Sequence, residues 1–382
     1  MAEYPKLREL YNEIMRCYRC GLCRVSCPVF KYSGTESWNA RGRLILLRAL
    51  SDNNLDVSDS LIDRIYSCSL CRECEVFCPP GVNVSGIIEV AREELVKNGL
   101  APPEEQREMQ KNILQVGNIL GESIQPLNNL LGSTVDSLPD SSPNLVYSGC
   151  VLLYSYSQIA QATLGNIKNA KYDYTVLKEG ETCCGGFLKM IGYREAFDSY
   201  SRKQLELFTG REIDQLITVC PMCYSTFKHD YPQKLEVKHT VLLYDELLDE
   251  GKLVFNKPLN AKVTFHDSCH LGRYSGIFEE PRKLIENVPG IELVELSKSK
   301  KSSNCCGGTI RVPYAQIRSK MSEWIIEDAS QVGAEYLVTA CPSCFHNLYS
   351  SSIMMDCNVK ILTLEELVGY TTGQLPKIPL YK

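Results

Sequence analysis

Apolar positions follow two textures along the chain. In the first hundred or so residues they recur at helical spacing. Leu7, Leu10, Tyr11 and Ile14 predict an amphipathic helix within MAEYPKLRELYNEIMRC. The stretches 36–50 (Arg43 to Leu50) and 84–97 (Ile87, Ile88, Val90, Ala91, Leu95) read the same way, and one more helix is expected at 103–120. From 144 onward short apolar runs appear: LVYSGC at 145–150, LITVC at 216–220, VTFHDSC at 263–269 and YLVTAC at 336–341. Helix-like stretches at 155–170, 193–209, 223–231 and 314–331 are interleaved with them. In the last of these, Tyr314, Ile317, Met321, Trp324 and Ile325 keep helical spacing and are expected to pack in a core. Buried strands alternating with helices imply parallel β-α units, which gather ligands at the carboxyl ends of their strands.

The expected architecture is therefore α/β, with a helical domain over 1–100, a connector over 101–143 and two β-α modules over 144–260 and 261–382. The connector is rich in Pro, Gly, Ser and Asn. Composition adds exclusions. The 382 residues are 44% hydrophobic and 23% charged, which suits a folded chain. No apolar run approaches the ~20 residues of a membrane span; LILL at 44–47 is cut by Arg43 and Arg48. The amino-terminal stretch lacks the apolar centre of a signal peptide. A net charge of −5 argues against a nucleic-acid surface.

What changes the picture is 19 cysteines. Disulfide scaffolds are small and secreted, whereas these cysteines fall in tight runs with metal-ligand spacing, which suits a reduced, cytoplasmic metal protein. Cys17-x2-Cys20-x2-Cys23-x3-Cys27-Pro28 is repeated 51 positions later as Cys68-x2-Cys71-x2-Cys74-x3-Cys78-Pro79. This is the ligand run of two-cluster ferredoxins, in which the fourth cysteine serves the other cluster. Three thiolates on a tight loop wrap one cubane, and the fourth, before a loop-ending proline, points away. Cys17, Cys20, Cys23 and Cys78 are thus expected on one cubane 4Fe–4S cluster, and Cys68, Cys71, Cys74 and Cys27 on the other. Four-cysteine zinc sites use two CxxC pairs instead.

The second cysteine system is also a repeat. Cys150, Cys183-Cys184-Gly185-Gly186 and Cys220-Pro221-Met222-Cys223 are followed by Cys269, Cys305-Cys306-Gly307-Gly308 and Cys341-Pro342-Ser343-Cys344, at offsets of 119, 122 and 121 positions. Two sets of five exceed the four ligands of a tetrahedral zinc, so a cluster with more coordination positions is the simpler account. The glycine pairs permit positive φ and let backbone amides approach sulfur. Cys357 alone is left over, as a small buried thiol.

Behind a two-cluster ferredoxin run, these two Cys-Cys-Gly modules resemble the D-type subunit of heterodisulfide reductase, or a fusion of that enzyme's soluble C and B subunits. The resemblance extends from Cys17 to Cys344. It implies one noncubane 4Fe–4S cluster on Cys150, Cys183, Cys184, Cys220 and Cys223, and another on Cys269, Cys305, Cys306, Cys341 and Cys344. It implies reductive cleavage of a disulfide (or the reverse, thiol oxidation) between them, which makes these ten cysteines catalytic. Iron–sulfur subunits of glycolate, lactate and glycerol 3-phosphate dehydrogenases share the architecture, so an electron relay between a flavin dehydrogenase and quinone is the alternative. Several of those subunits lack part of one final CxxC, whereas both are intact here.

No G-x-G-x-x-G opens a helix after a strand, so an outside donor or acceptor is required, a flavoprotein or a membrane cytochrome b. Attachment to the inner face of the membrane through that partner is the corresponding expectation. Two further features carry candidate chemistry. The run Lys298-Ser299-Lys300-Lys301 is either a solvated hairpin tip or a steering patch for an acidic substrate or partner. His266 and His270 flank Cys269 and suit donation to cluster sulfur, protonation of a leaving thiolate, or a structural hydrogen bond.

Overall fold

The computed structural model describes residues 4–232 and 236–379. The amino-terminal amphipathic stretch forms two short helices, Pro5–Glu9 and Tyr11–Met15, rather than one. They meet at Leu10 (φ −86°, ψ 6°), and the bend lets Leu7 and Ile14 both face the core. Helices Ala40–Ser51, Asp59–Tyr66 and Val84–Lys97 complete the helical unit, each opened by a side-chain cap from Asn39, Ser58 or Asn83. The helix expected at 103–120 runs over Glu104–Val116 and stops at Gly117, whose φ is +78°. The connecting segment is packed rather than free, with Ile113, Leu127, Leu131 and Val135 buried.

The strands form two separate, wholly parallel sheets. In the first, β1 (Asn144–Tyr147), β2 (Gln215–Thr218) and β3 (Glu236–His239) lie in the order β1-β2-β3. In the second, β4 (Ala261–His266), β5 (Ile291–Leu293), β6 (Tyr336–Thr339) and β7 (Lys360–Thr363) lie in the order β5-β4-β6-β7. A lone parallel bridge between Leu145 and Thr175 occupies in the first sheet the place that β5 takes in the second. The repeat seen in the cysteines is thus a repeat of the fold. In register, Tyr147, Thr218 and His239 stand abreast, as do His266, Thr339 and Thr363. β2 and β6 are buried by the helices on both faces, which explains their continuous apolar runs.

The stretch expected as a helix at 155–170 is the helix Ser157–Asn169, and a separate short helix, Cys150–Ser155, precedes it across Tyr156. The sheets are joined by helices: the last helix, Leu364–Thr371, packs on Ser157–Asn169, where Asn166 Nδ2 donates to the Glu365 carbonyl (2.8 Å). The helical unit docks against both modules. Tyr66 Oη donates to the Ile191 carbonyl (3.0 Å) and Arg92 Nη1 to that of Met190 (2.8 Å), while Thr309 Oγ1 reaches the Ser69 carbonyl (2.8 Å) and Tyr274 Oη that of Leu70 (2.7 Å).

Candidate iron–sulfur centres and the cavity between them

Strand ends deliver the second cysteine system. Cys150 and Cys269 follow the ends of β1 and β4 by three residues, and Cys220 and Cys341 follow β2 and β6 by two. Each Cys-Pro places cysteine at the cap and proline at the first position of a helix, Pro221–His229 or Pro342–Met354. The helix dipole there favours thiolate, and Cys223 and Cys344 lie within the same first turn. The Cys-Cys-Gly-Gly loops supply the rest. Gly185 and Gly307 both have φ +77°, and their amides donate to Cys183 and Cys305 sulfur at 3.3 Å. A Cβ on Gly185 would meet Tyr200 Cδ1 at 2.9 Å, so the turn requires glycine twice over.

The structure brings each set of five together. Cys183 contacts Cys150 and Cys184, and Cys223 contacts Cys184 and Cys220. In the second set Cys305 reaches Cys269 and Cys344 reaches Cys306 and Cys341; the Cys306–Cys344 Sγ separation is 3.2 Å. That distance is well beyond the ~2.05 Å of a disulfide, and all 19 cysteines are free. Nine of these ten are buried, and Cys269 is half-buried.

The two sets share one electrostatic pattern. Cys184 is held well below the ordinary thiol value by its contacts with Cys183 and Cys223, and Cys306 by Cys344 and then His266. The contact with Cys150 pushes Cys183 up, and that with Cys306 pushes Cys344 up, burial adding to each. Thiolates gathered this closely would repel one another, and iron would supply the compensating positive charge, so both sets fit a thiolate-ligated cluster.

His266 stands out beside the second set. Both its ring nitrogens are buried without a hydrogen-bond partner, and its ring nitrogen lies with Cys306 and Cys344 sulfur in a group spanning no more than 4.8 Å. Tyr147, its counterpart in the first module, instead donates to the Thr182 carbonyl. His270 lies 3.4 Å from Cys269 sulfur and stacks on Tyr274 at 4.6 Å.

In the helical unit, Cys27 is buried close to Cys68 and Cys71, and Cys74 faces Cys71, Cys68 and Cys27. Cys27 also neighbours Cys23 of its own run. Cys23 neighbours Cys17, and the Cys78–Asn83 loop is tied to the stretch before Cys17: Glu13 Oε1 accepts from Asn83 N (2.9 Å), and Arg16 reaches the Pro80 carbonyl. Cys20 is exposed. Cys71 meets the Cys305 thiol, so this unit touches the second module at its cysteines. Cys357 is half-buried and accepts from Val359 N (3.4 Å).

The lysine run at 298–301 is neither a hairpin tip nor a free patch. β5 is parallel to β4, Lys300 and its neighbours form a short 3-10 turn, Lys298 pairs with Glu73 (3.7 Å) and Lys300 with Glu279 (2.6 Å). Of the expected core positions on Ala315–Gln331, Ile317, Met321 and Ile325 are buried, while Tyr314 and Trp324 are half-buried against the helical unit.

Between the modules lies a narrow cavity of about 50 Å³, open to solvent. All five cysteines of the first set line it, opposite Gly308, Thr309 and Arg311 of the second module, and Met109 and Ile119 of the connecting segment close one side. The residues that pattern reading missed are those without cysteines: Glu181, whose carboxylate takes Ser148 N (3.2 Å) and Gly149 N (2.9 Å) and fixes the turn before Cys150, and Arg311. Aligning the repeats puts Arg311 opposite Lys189, a signal present in the sequence.

Residues 13–82 match the 4Fe-4S dicluster domain family, and residues 145–228 and 263–349 each match the Cysteine-rich domain (CCG) family. The chain belongs to the iron–sulfur family that joins these units, as in the D-type subunits of heterodisulfide reductases, and is an oxidoreductase. It is 27% identical to the D subunit of the dihydromethanophenazine:CoB–CoM heterodisulfide reductase of Methanosarcina barkeri, over 94% of each chain. It is 26% identical to the EtfAB:quinone oxidoreductase of Syntrophomonas wolfei, over 86% of this chain and 54% of that one. A hypothetical protein from Helicobacter pylori shares the fold, with a TM-score of 0.56 at 12% identity over 87% of this chain and 68% of that one.

Proposed function

We propose that the protein reduces a disulfide, or oxidises the corresponding thiols, in the cavity between its two modules. The observation that carries this reading is that cavity, walled by a complete five-cysteine set on one side and by Gly308, Thr309, Pro342 and Ser343 of the other module opposite. The ten cysteines would hold two noncubane 4Fe–4S clusters, and the eight of the helical unit two cubane ones. When bound, such clusters store and pass single electrons and offer iron to sulfur. The balanced conversion is R–S–S–R′ + 2e⁻ + 2H⁺ → RSH + R′SH, with the electrons drawn from a partner protein.

The chain's own groups have defined tasks. Phe187, Met222, Leu152 and Met109 exclude water from the cavity and pack the substrate's carbon framework. The His266 ring, within 4.8 Å of the Cys306 and Cys344 sulfurs, would donate to a cluster held there. The Cys71–Cys305 contact gives electrons a short way from the helical unit into the second module. Similarity to the EtfAB:quinone oxidoreductase favours a second reading, in which the chain relays electrons between a flavoprotein and quinone.

One experiment separates the two. Purified protein is mixed with reduced viologen dye and a panel of disulfides. Steady consumption of disulfide, with two thiols formed per two electrons, supports the reductase. Absence of turnover across the panel, with rapid reduction by a co-purifying flavoprotein, supports the relay.

A further inference from the structure

Reduction of a disulfide consumes two protons, yet among the described residues lining the narrow cavity there is neither a carboxyl nor an imidazole. A disulfide seated there would also fill its opening, so protons must arrive through the wall. A second, larger cavity of about 340 Å³ lies on the other side of Met222, which lines both. It sits where three parts of the molecule meet. The helical unit contributes Arg72 and Glu89, the first module Lys189, His229 and Asp230, and His270 and Tyr274 of the second module close it. A polar space of this size takes several waters, each with hydrogen-bonding partners in reach.

The lining changes in order from solvent inward. His229 stands exposed at the rim. Half-buried Lys189 is held between Asp230 (2.7 Å) and Glu89 (3.4 Å), while Arg72 lies over the Tyr274 ring at 3.7 Å. Ser225 and Thr226, both buried, form the inner end. The Thr226 hydroxyl hydrogen-bonds to the Cys184 sulfur, and it sits so close over Gly186 that a Cβ there would clash with it. Cys184 in turn lines the narrow cavity, so one layer, Cys184 and Met222, separates the two spaces.

The internal repeat shows that this lining belongs to one module alone. Thr226, His229 and Asp230 correspond, 121 positions on, to Asn347, Ser350 and Ser351. Asn347 gives its amide to the Cys306 carbonyl (3.1 Å), and an amide does not exchange protons as a hydroxyl does by accepting one hydrogen bond and donating another. Helices Pro221–His229 and Pro342–Met354 thus share a proline start and a cysteine pair but not the proton-handling face.

We propose that the larger cavity is the proton inlet of the disulfide site. Water within it takes protons from solvent at His229 and at the Lys189, Asp230 and Glu89 group. They pass along Thr226 and by Met222, whose unbranched side chain yields readily, to the two thiolates released in the narrow cavity. One proton ends on each sulfur, completing R–S–S–R′ + 2e⁻ + 2H⁺ → RSH + R′SH; in thiol oxidation both leave by the same way. The inlet rests on the disulfide reading and adds to it the route of the protons.

The test follows turnover of a disulfide by the iron-loaded protein with reduced dye, and proton uptake with a pH indicator. Thr226→Val removes the hydroxyl and keeps the shape. Turnover is expected to fall about tenfold or more, with a larger rate ratio between H2O and D2O, while iron content and dye reduction of the protein stay as in wild type. Thr226→Ser should restore the rate. Asp230→Asn should slow turnover likewise, and imidazole added to the buffer should relieve that loss in proportion to its concentration. Should Thr226→Val lose iron, Asp230→Asn, whose side chain is bonded to Lys189 rather than to a cysteine, decides alone. Unchanged turnover in both variants overturns the inlet and leaves the reductase standing. A loss that imidazole does not relieve, with an unchanged isotope ratio, gives these residues a structural role, and the proposal falls. If wild type turns over no disulfide, the reductase reading falls and the inlet with it.

Discussion

At the scale of single residues, the Cys-Cys-Gly-Gly loop is tightly constrained. Positive φ at Gly307 turns the chain so that Cys305 and Cys306 face one sulfur cluster from adjacent positions, and Ser322 and Asn347 both donate to the Cys306 carbonyl, at 3.2 and 3.1 Å. A cubane needs four thiolates, so an ordinary cubane here would leave one of five cysteines redundant. If the fifth is required, Cys306→Ala is expected to abolish disulfide turnover and to lower iron by about four atoms per chain, from about 16. The clusters proposed for the helical unit should still be reduced by dithionite. Near-normal turnover with full iron content in this variant would refute the five-ligand cluster in the second module and favour the relay. His266 could be singled out in the sequence as a neighbour of Cys269. That it turns instead toward Cys306 and Cys344 could not, because that approach depends on the register of β4 beside β6.

Among elements, the joint between the modules is made by helices Ser157–Asn169 and Leu364–Thr371, and it contains a buried carboxyl. Glu365 is 2% exposed, accepts from Thr240 Oγ1 (3.0 Å), and is pushed up to about 7 by burial. Its folded value lies above the unfolded one, so its contribution to stability is fully present below the unfolded value near 4.5 and is lost as pH rises through about 7. Glu365→Gln keeps the shape and the acceptor but removes the ionisation. It should therefore match wild type at pH 4 and be more stable at pH 8, by up to about 3 kcal/mol, read as the difference in urea midpoints. Equal midpoints at pH 8 would show that the site hydrates when charged. The parallel β-α order around this joint was legible from unbroken apolar runs and the doubled cysteine spacing. The joint itself was not, since Asn166, Thr240 and Glu365 are ordinary polar residues on helices until the fold buries them together. The break at Leu10 escaped for the same reason: helical spacing on both sides of a bend looks continuous.

For the whole molecule, the question is how two cysteine systems that the sequence keeps apart become one path. The groups of cysteines that the fold gathers were readable from spacing, yet nothing in the spacing says which module's cysteines the helical unit touches. Side chains distant in sequence decide it. Arg273 donates through Nε to the Cys71 carbonyl and through Nη1 to those of Lys301 (3.2 Å) and Ser303 (2.7 Å), so one guanidinium straps the Cys68–Cys74 loop to the approach to Cys305. Tyr274 and Thr309 fasten the same loop at Leu70 and Ser69, and the pair Cys71 and Cys305 is held in contact between these ties. Arg273 is not a candidate ligand, and its partners are backbone carbonyls, so its loss should loosen the junction without emptying either site. Arg273→Gln is expected to retain iron and the reduced spectrum of the clusters proposed for the helical unit, but to slow electron passage into the second module several-fold. Rapid mixing with a reduced dye, followed by freeze-quench spectroscopy of both cluster types, reads the two steps separately. Unchanged passage in Arg273→Gln would mean that the Tyr274 and Thr309 ties alone hold the junction, whereas loss of iron would make Arg273 a support of the site rather than of the path.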